Sequence, residues 1–460
     1  MLNKLLYIKK GCKPMMIFKL IDRYRYKVAF FSRGGISIRE LAHKLFMKFK
    51  WCSSIKNVVD YLRSEKLLKK DIIETKDLQR VFSFRFMSRK EREIAKELCL
   101  AVNARFTKLS YGLHVERVRD ILEHNAYWLS TMWLSDAEVL ANVGGLFVIA
   151  GDIRKLCVKK LLEKYEKKSN VQHFDVIKLY SCYLYAGENA KAAEVIERAG
   201  KAWRYYNDGV WQRMVVMAKS KNLDELSAMM KLETKADAEY SEMIRGKRIA
   251  FIGPAVGSLD EAELTRDFDL IVCMNYRGKG LLSEAEQRCG IDISYYGGNY
   301  GNRIFEMDDK SFMLDLKAVV FKTIVNNTQK AMFHDGKCRK VQCSPNTFMF
   351  QKAAFQAQVT LLDLLHFAPA RIKVFNINLF LTDSDKRYRK GYYDGGIMNT
   401  GSNISSAHKL WSSLTTHNII SNYEVTKFWY DSGFIEADRQ LSEILSLGTS
   451  EYLSRLETLE

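Results

Sequence analysis

Proline is scarce in this chain. Only four occur in 460 residues, at 14, 254, 345 and 369, and none lies between Pro14 and Pro254. Such a stretch permits long uninterrupted helices. Long apolar runs are also missing. No segment of 18 or more apolar residues occurs, which excludes the ordinary signature of a membrane-spanning helix. The nine cysteines form no Cys-x-x-Cys pair and no Cys/His cluster at zinc-finger spacing. Free thiols in a reducing compartment are the expectation. The N-terminus has basic residues but no clean apolar region ending in a small-residue cleavage site. A cytoplasmic location is expected, with possible attachment to the inner face of a membrane.

Acidic residues are nearly absent from one end. Residues 1–50 carry 13 Lys and Arg against two acids, Asp22 and Glu40, so +11 of the net +18 sits there and the other 410 residues carry +7. A basic end attracts anions. Apolar residues are interleaved with it (Met15, Met16, Ile17, Phe18, Leu20, Ile21), a pattern that suits either a peripheral membrane helix or a basic helix packed on the next domain. The charge is local and no nucleic-acid motif accompanies it, so nucleic acid is not the expected partner.

What is present is ordinary globular material, 47% hydrophobic and 27% charged, enough for two or three domains. Between about 51 and 240 the apolar spacing is helical, as in Val58, Val59, Leu62 and in Val115, Val118, Ile121, Leu122. Ala150-Gly151-Asp152, Ala186-Gly187-Glu188 and Ser220-Lys221-Asn222 follow one another at 36 and then about 35 residues, each between two amphipathic stretches. Small turns between paired helices at this period resemble tetratricopeptide-type repeats; a non-repetitive helical domain is the alternative. Either could carry a protein partner.

From 245 to 460 the texture changes. Arg248–Gly253, Asp269–Asn275, Ile291–Tyr296, Leu316–Phe321 and Ile372–Leu379 are short apolar runs alternating with helical stretches, notably Phe348–Leu365. That alternation predicts an α/β fold with a mostly parallel sheet covered on both faces. The residues from Glu424 to Leu459 read as helices again.

Several segments of this half could carry chemistry. Gly253-Pro254-Ala255-Val256-Gly257 follows the first strand, where a glycine turn brings backbone near a ligand and a following helix N-terminus favours phosphate. Its GxxxG spacing, and the Asn275 that ends the second strand where an acid would be needed, do not fit a nicotinamide dinucleotide site. Ser344-Pro345-Asn346-Thr347-Phe348 is expected to open the Phe348–Leu365 helix, with Ser344 or Asn346 as its cap. Tyr392-Tyr393-Asp394 follows a basic loop of Lys386, Arg387, Arg389 and Lys390. His417 stands in Thr415-Thr416-His417-Asn418, and imidazole is the side chain best poised to take a proton near neutral pH.

Taken in order, these segments resemble the motifs of the animal-type sialyltransferase family and its bacterial relatives, over roughly residues 247–445. Gly253, Pro254, Ala255 and Asn275 fall on the long motif that holds CMP. Ser344, Asn346 and Thr347 fall on the short motif facing the nucleotide. Tyr392 and Tyr393 fall on the tyrosine segment, and His417 on the final histidine. Cys273, Phe348, Gly391 and Asn422 stand where the family has Arg, Gly, His and Glu. The resemblance implies a variant Rossmann-like nucleotide-binding domain. It implies inverting transfer of sialic acid, or a related 2-keto-3-deoxy sugar such as Kdo, from a CMP-activated donor to a glycan or glycolipid acceptor. His417 is then the general base, with no metal or other cofactor. Two alternatives remain open from the residues alone. Asp383-Ser384-Asp385 has the Asp-x-Asp form that holds a divalent ion on a nucleotide-diphosphate sugar. The four departures also fit an interaction protein with a catalytically decayed domain.

Overall fold

The computed structural model describes residues 91–459 apart from several breaks, chiefly 105–110, 168–172, 203–207, 279–283, 298–310, 323–336, 351–353 and 382–416. The basic segment 1–50 lies outside the described residues, and with it the expectation of membrane contact. Among the described residues no helix is long and apolar enough to cross a membrane. The described residues belong to one compact unit.

Among the described residues, eight helices lead from Tyr111 to the sheet. They are α1 (Tyr111–Asn125), α2 (Thr131–Val143), α3 (Phe147–Lys167), α4 (His173–Tyr185), α5 (Asn189–Ala202), α6 (Asp208–Lys219), α7 (Leu223–Ala228) and α8 (Lys235–Ile244). The Ser130 side chain caps α2 by accepting from the Trp133 amide, and Thr234 and Asp237 close a capping box on α8. Helices α4 and α5 form a hairpin through Ala186-Gly187, where Gly187 takes the left-handed conformation (φ 75°). Asn222 caps α7 after α6.

The first expected turn is displaced. Ala150-Gly151-Asp152 lies inside α3, and the chain reverses at Gly144-Gly145 instead, with Gly145 at φ 73°. Gly151 serves packing: a Cβ there would stand 2.7 Å from the Leu453 Cδ1. The turns fall at 144–146, 186–188 and before 222, so they do not keep one period.

The sheet has seven strands in the order β5-β4-β3-β2-β1-β6-β7, and every pairing is parallel. The strands are β1 (Arg248–Ile252), β2 (Leu270–Met274), β3 (Ile293–Tyr296), β4 (Ala318–Phe321), β5 (Cys338–Lys340), β6 (Arg371–Phe375) and β7 (Glu436–Ala437). Between them lie α9 (Glu261–Asp267), α10 (Glu284–Cys289), α11 (Gln356–Leu365) and α12 (Ile419–Asp431); α13 (Arg439–Leu445) and α14 (Thr449–Thr458) end the chain. β2, β3 and β4 are buried along their whole length, as expected of parallel strands covered on both faces. One face packs Ala250, Ile252, Ile271, Cys273, Tyr296 and Phe321 with Leu264 of α9. On the other, Arg339 of β5 is buried against Asp363 of α11 (2.5 Å) and Asp237 of α8 (3.1 Å).

The helical half is joined to α12 by a second buried cluster. Arg154 of α3 donates to Glu138 of α2 (2.6 Å), to Glu424 of α12 (2.5 Å), and to Asn418 (2.9 Å) and Ser421 (2.8 Å). Burial works against the charge on Arg154, but the two carboxylates more than offset it and raise its pKa.

Candidate functional site at the strand ends

In an open parallel sheet, ligands bind beyond the carboxyl ends of the strands, near the point where strand order reverses. Here that point lies between β1 and β6, and it is closed. The Gly253 amide donates to the Phe375 carbonyl (2.7 Å) and the Ala255 amide to the Asn376 carbonyl (3.0 Å). A Cβ on Gly253 would stand 2.4 Å from the Asn376 carbonyl oxygen, and one on Gly257 2.0 Å from the Asn376 Oδ1.

These glycines therefore let two loops lie against each other. Two features set this turn apart from an open phosphate cradle. Of Gly253, Pro254 and Ala255, two have amides already engaged and the third, a proline, has none. The next helix, α9, begins only at Glu261, is capped by the Asp260 carboxylate, and carries Glu261 and Glu263 in its first turn. Carboxylates already occupy the end that would attract phosphate.

The neighbouring strand ends differ. Asn275, just past β2, is buried in the left-handed conformation (φ 54°), which asparagine tolerates better than most residues. Its Oδ1 accepts from the Gly297 amide beyond β3 (3.3 Å). Tyr276 is held between Ser294 and Tyr296. Arg277 follows, half-buried at the same edge. Cys273, in the position of the family's arginine, belongs to the apolar core below.

The stretch before α11 is also corrected. Pro345–Thr347 is a single 3-10 turn, and α11 starts only at Gln356. Asn346 does not cap that helix; its Oδ1 accepts from the Ala354 amide (2.8 Å) and closes the intervening loop. The Ser344 hydroxyl oxygen accepts from the Asn346 amide (3.4 Å). Lys322, beyond β4, donates to the Ala354 carbonyl (3.2 Å), and burial lowers its pKa.

His417 reaches the same place from the other side. Its ring packs tilted against Phe355 at 4.7 Å between centroids, and Phe355 packs on Phe380 at 5.0 Å. Asn422, where the family has glutamate, accepts from the Phe355 amide (2.7 Å) and donates to the Asn418 carbonyl (2.6 Å), fixing α12 to the start of α11. Glu424 is committed to Arg154. Burial, reinforced by the Glu138 charge, raises its carboxyl to about 7, while Arg154 pulls it down.

Asn275, Asn346 and His417 thus converge on the start of α11. Thr347 ends the 3-10 turn, and its side chain lies outside the described residues, as do Phe348, Gly391, Tyr392, Tyr393, Asp383, Asp385 and the basic loop 386–390. Sequence reasoning passed over Arg277, Gln356 and Asn376. Arg277 stands two residues after Asn275 and was legible there. Gln356 was hidden inside a helix drawn too long.

A separate cleft of about 860 Å³ opens between α3, α4, α12 and α14, lined by Arg154, Cys182, Phe350, Glu424 and Leu453 among others. Phe350, between the Pro345–Thr347 turn and α11, and α12 are common to this cleft and the strand-end site. No family model, curated protein or solved structure matches this chain.

Proposed function

We propose that the chain is a glycosyltransferase that moves an acidic sugar, sialic acid or a related 2-keto-3-deoxy sugar such as Kdo, from a CMP-activated donor to a glycan or glycolipid acceptor. The observation that carries the reading is the gathering of Asn275, Asn346 and His417, distant in sequence, around Phe355 and Gln356. On this reading the domain is a variant Rossmann-like one, and CMP lies across the carboxyl ends of β2 and β3. Asn275 hydrogen-bonds the sugar-phosphate, and the Arg277 guanidinium pairs with its charge. Ser344, Thr347, Tyr392 and Tyr393 complete the donor side, while the helical half receives the acceptor or a protein partner. The enzyme works in the cytoplasm, at the inner face of the membrane when the acceptor is a lipid.

The acceptor hydroxyl oxygen forms a bond to the anomeric carbon as the bond from that carbon to the CMP phosphate oxygen breaks. The hydroxyl proton passes to His417, and CMP leaves with the electron pair. Attack opposite the leaving group inverts the anomeric centre. A half-buried imidazole packed against the Phe355 ring is held in place for this transfer.

Turnover of CMP-activated 2-keto-3-deoxy sugars with a glycan acceptor tests the proposal. His417→Ala should lower turnover about 100-fold or more with CMP affinity kept, and EDTA should have no effect. Abolition by EDTA would move the chemistry to Asp383 and Asp385. Full turnover in His417→Ala would remove the base.

A further inference from the structure

Gln356 is the first residue of α11, and both polar atoms of its amide are shielded from solvent with no hydrogen-bond partner among the described residues. A buried amide left in that state costs about 1–3 kcal/mol. Natural folds keep few such groups, and a ligand is one reason to keep one. The surroundings point the same way. Gly297, at the end of β3, lets the amide approach closely: a Cβ there would stand 3.3 Å from the Gln356 Oε1, tighter than side chains ordinarily pack. The Gly297 amide is meanwhile held by Asn275, the residue assigned to the sugar-phosphate.

We infer that Gln356 reads the edge of the nucleobase, its carbonyl accepting from one ring substituent while its amide N–H donates to the adjacent ring position. This rests on the nucleotide reading of the strand ends. A carboxamide offers one donor and one acceptor side by side, and the cytosine edge offers the complementary pair, an exocyclic amine next to a ring nitrogen. The placement suits a nucleotide lying across the sheet edge. Neighbouring strands are about 4.8 Å apart. A nucleotide held by Asn275 and Arg277 after β2 therefore brings its base, one strand further, to Gly297 and Gln356. The amide is unsatisfied without the ligand and satisfied with it, so its cost to the empty protein becomes selectivity on binding.

Two variants of the full chain test this, each followed by thermal unfolding without ligand and by calorimetric titration with CMP. Gln356→Leu removes the amide at similar volume. It should leave the unfolding temperature of the empty protein unchanged or higher and weaken CMP about tenfold or more. Gly297→Ala crowds the amide and should weaken CMP in the same direction. Unchanged CMP affinity in both variants would overturn the inference. So would a lower unfolding temperature of Gln356→Leu with affinity kept, because the amide would then serve the fold, through a buried water. If the unmodified protein bound no CMP, the nucleotide reading itself would fall and the inference with it, an outcome distinct from binding that ignores Gln356.

Discussion

Two neighbouring pairs of strands end at the same edge of one sheet and finish differently. Beyond β1 and β6 the loops are laced together. Amides at Gly253 and Ala255 donate across the gap, and Asn376 fills the space left by Gly257. Beyond β2 and β3, Asn275 reaches over to Gly297, and the Gln356 amide beside them has no hydrogen-bond partner among the described residues. Fold topology marks the first place as the crevice, yet polar satisfaction marks the second. The lesson is that paired loop amides can close a switch point, and here an orphaned side-chain amide singles out the neighbouring strand pair instead. The β1–β6 seam should answer to mutation in stability, and the β2–β3 edge in binding.

The largest expected effect comes from the cluster under α12. Arg154→Met should destabilise the protein by about 3–5 kcal/mol, because it strands the fully buried Glu138, as denaturant unfolding would show. At the seam, Gly253→Ala should cost about 3 kcal/mol, since its methyl meets backbone that cannot step aside. Gly257→Ala should cost less, about 1–2 kcal/mol. Asn376→Gly in the same chain should restore most of that loss, since it removes the clashing amide and keeps the left-handed backbone (φ 54°). A loss of CMP affinity with stability intact in any seam variant would break the comparison.

The smallest expected effect is on pH dependence. Glu424 titrates at about 7 in the fold against 4.5 as a free side chain. Between those values the folded chain holds a proton that the unfolded chain has released. Stability from this group therefore falls as pH rises through that window. Glu424→Gln should flatten this slope in thermal unfolding measured from pH 5 to 8.

Five of the seven strands could be read from the sequence because parallel strands buried on both faces leave apolar runs. β5 could not. Its Cys338-Arg339-Lys340 looks like a surface turn, and Arg339 is buried only because Asp237 and Asp363, distant in sequence, neutralise it. β7 is two residues long and leaves no pattern. The helix drawn from Phe348 starts late for a similar reason: Asn346 and Asn422 bind the amides of Ala354 and Phe355, and neither contact is visible in local propensity. Gly151 was read as a turn because a glycine inside a helix is costly unless something packs against it, and Leu453 does. At the site, Asn275, Asn346 and His417 were legible as residue types at the ends of predicted elements. That Gly253 serves packing was not, because only the paired loops show where its amide goes.

The most direct test of the account is a calorimetric titration of the full chain with CMP, in the absence of metal, set beside Asn275→Gly. That substitution deletes the amide and preserves the left-handed turn. The account predicts micromolar binding by the unmodified chain and a loss of about tenfold or more in the variant. Equal affinities in the two proteins, or no binding by the unmodified chain, would contradict it.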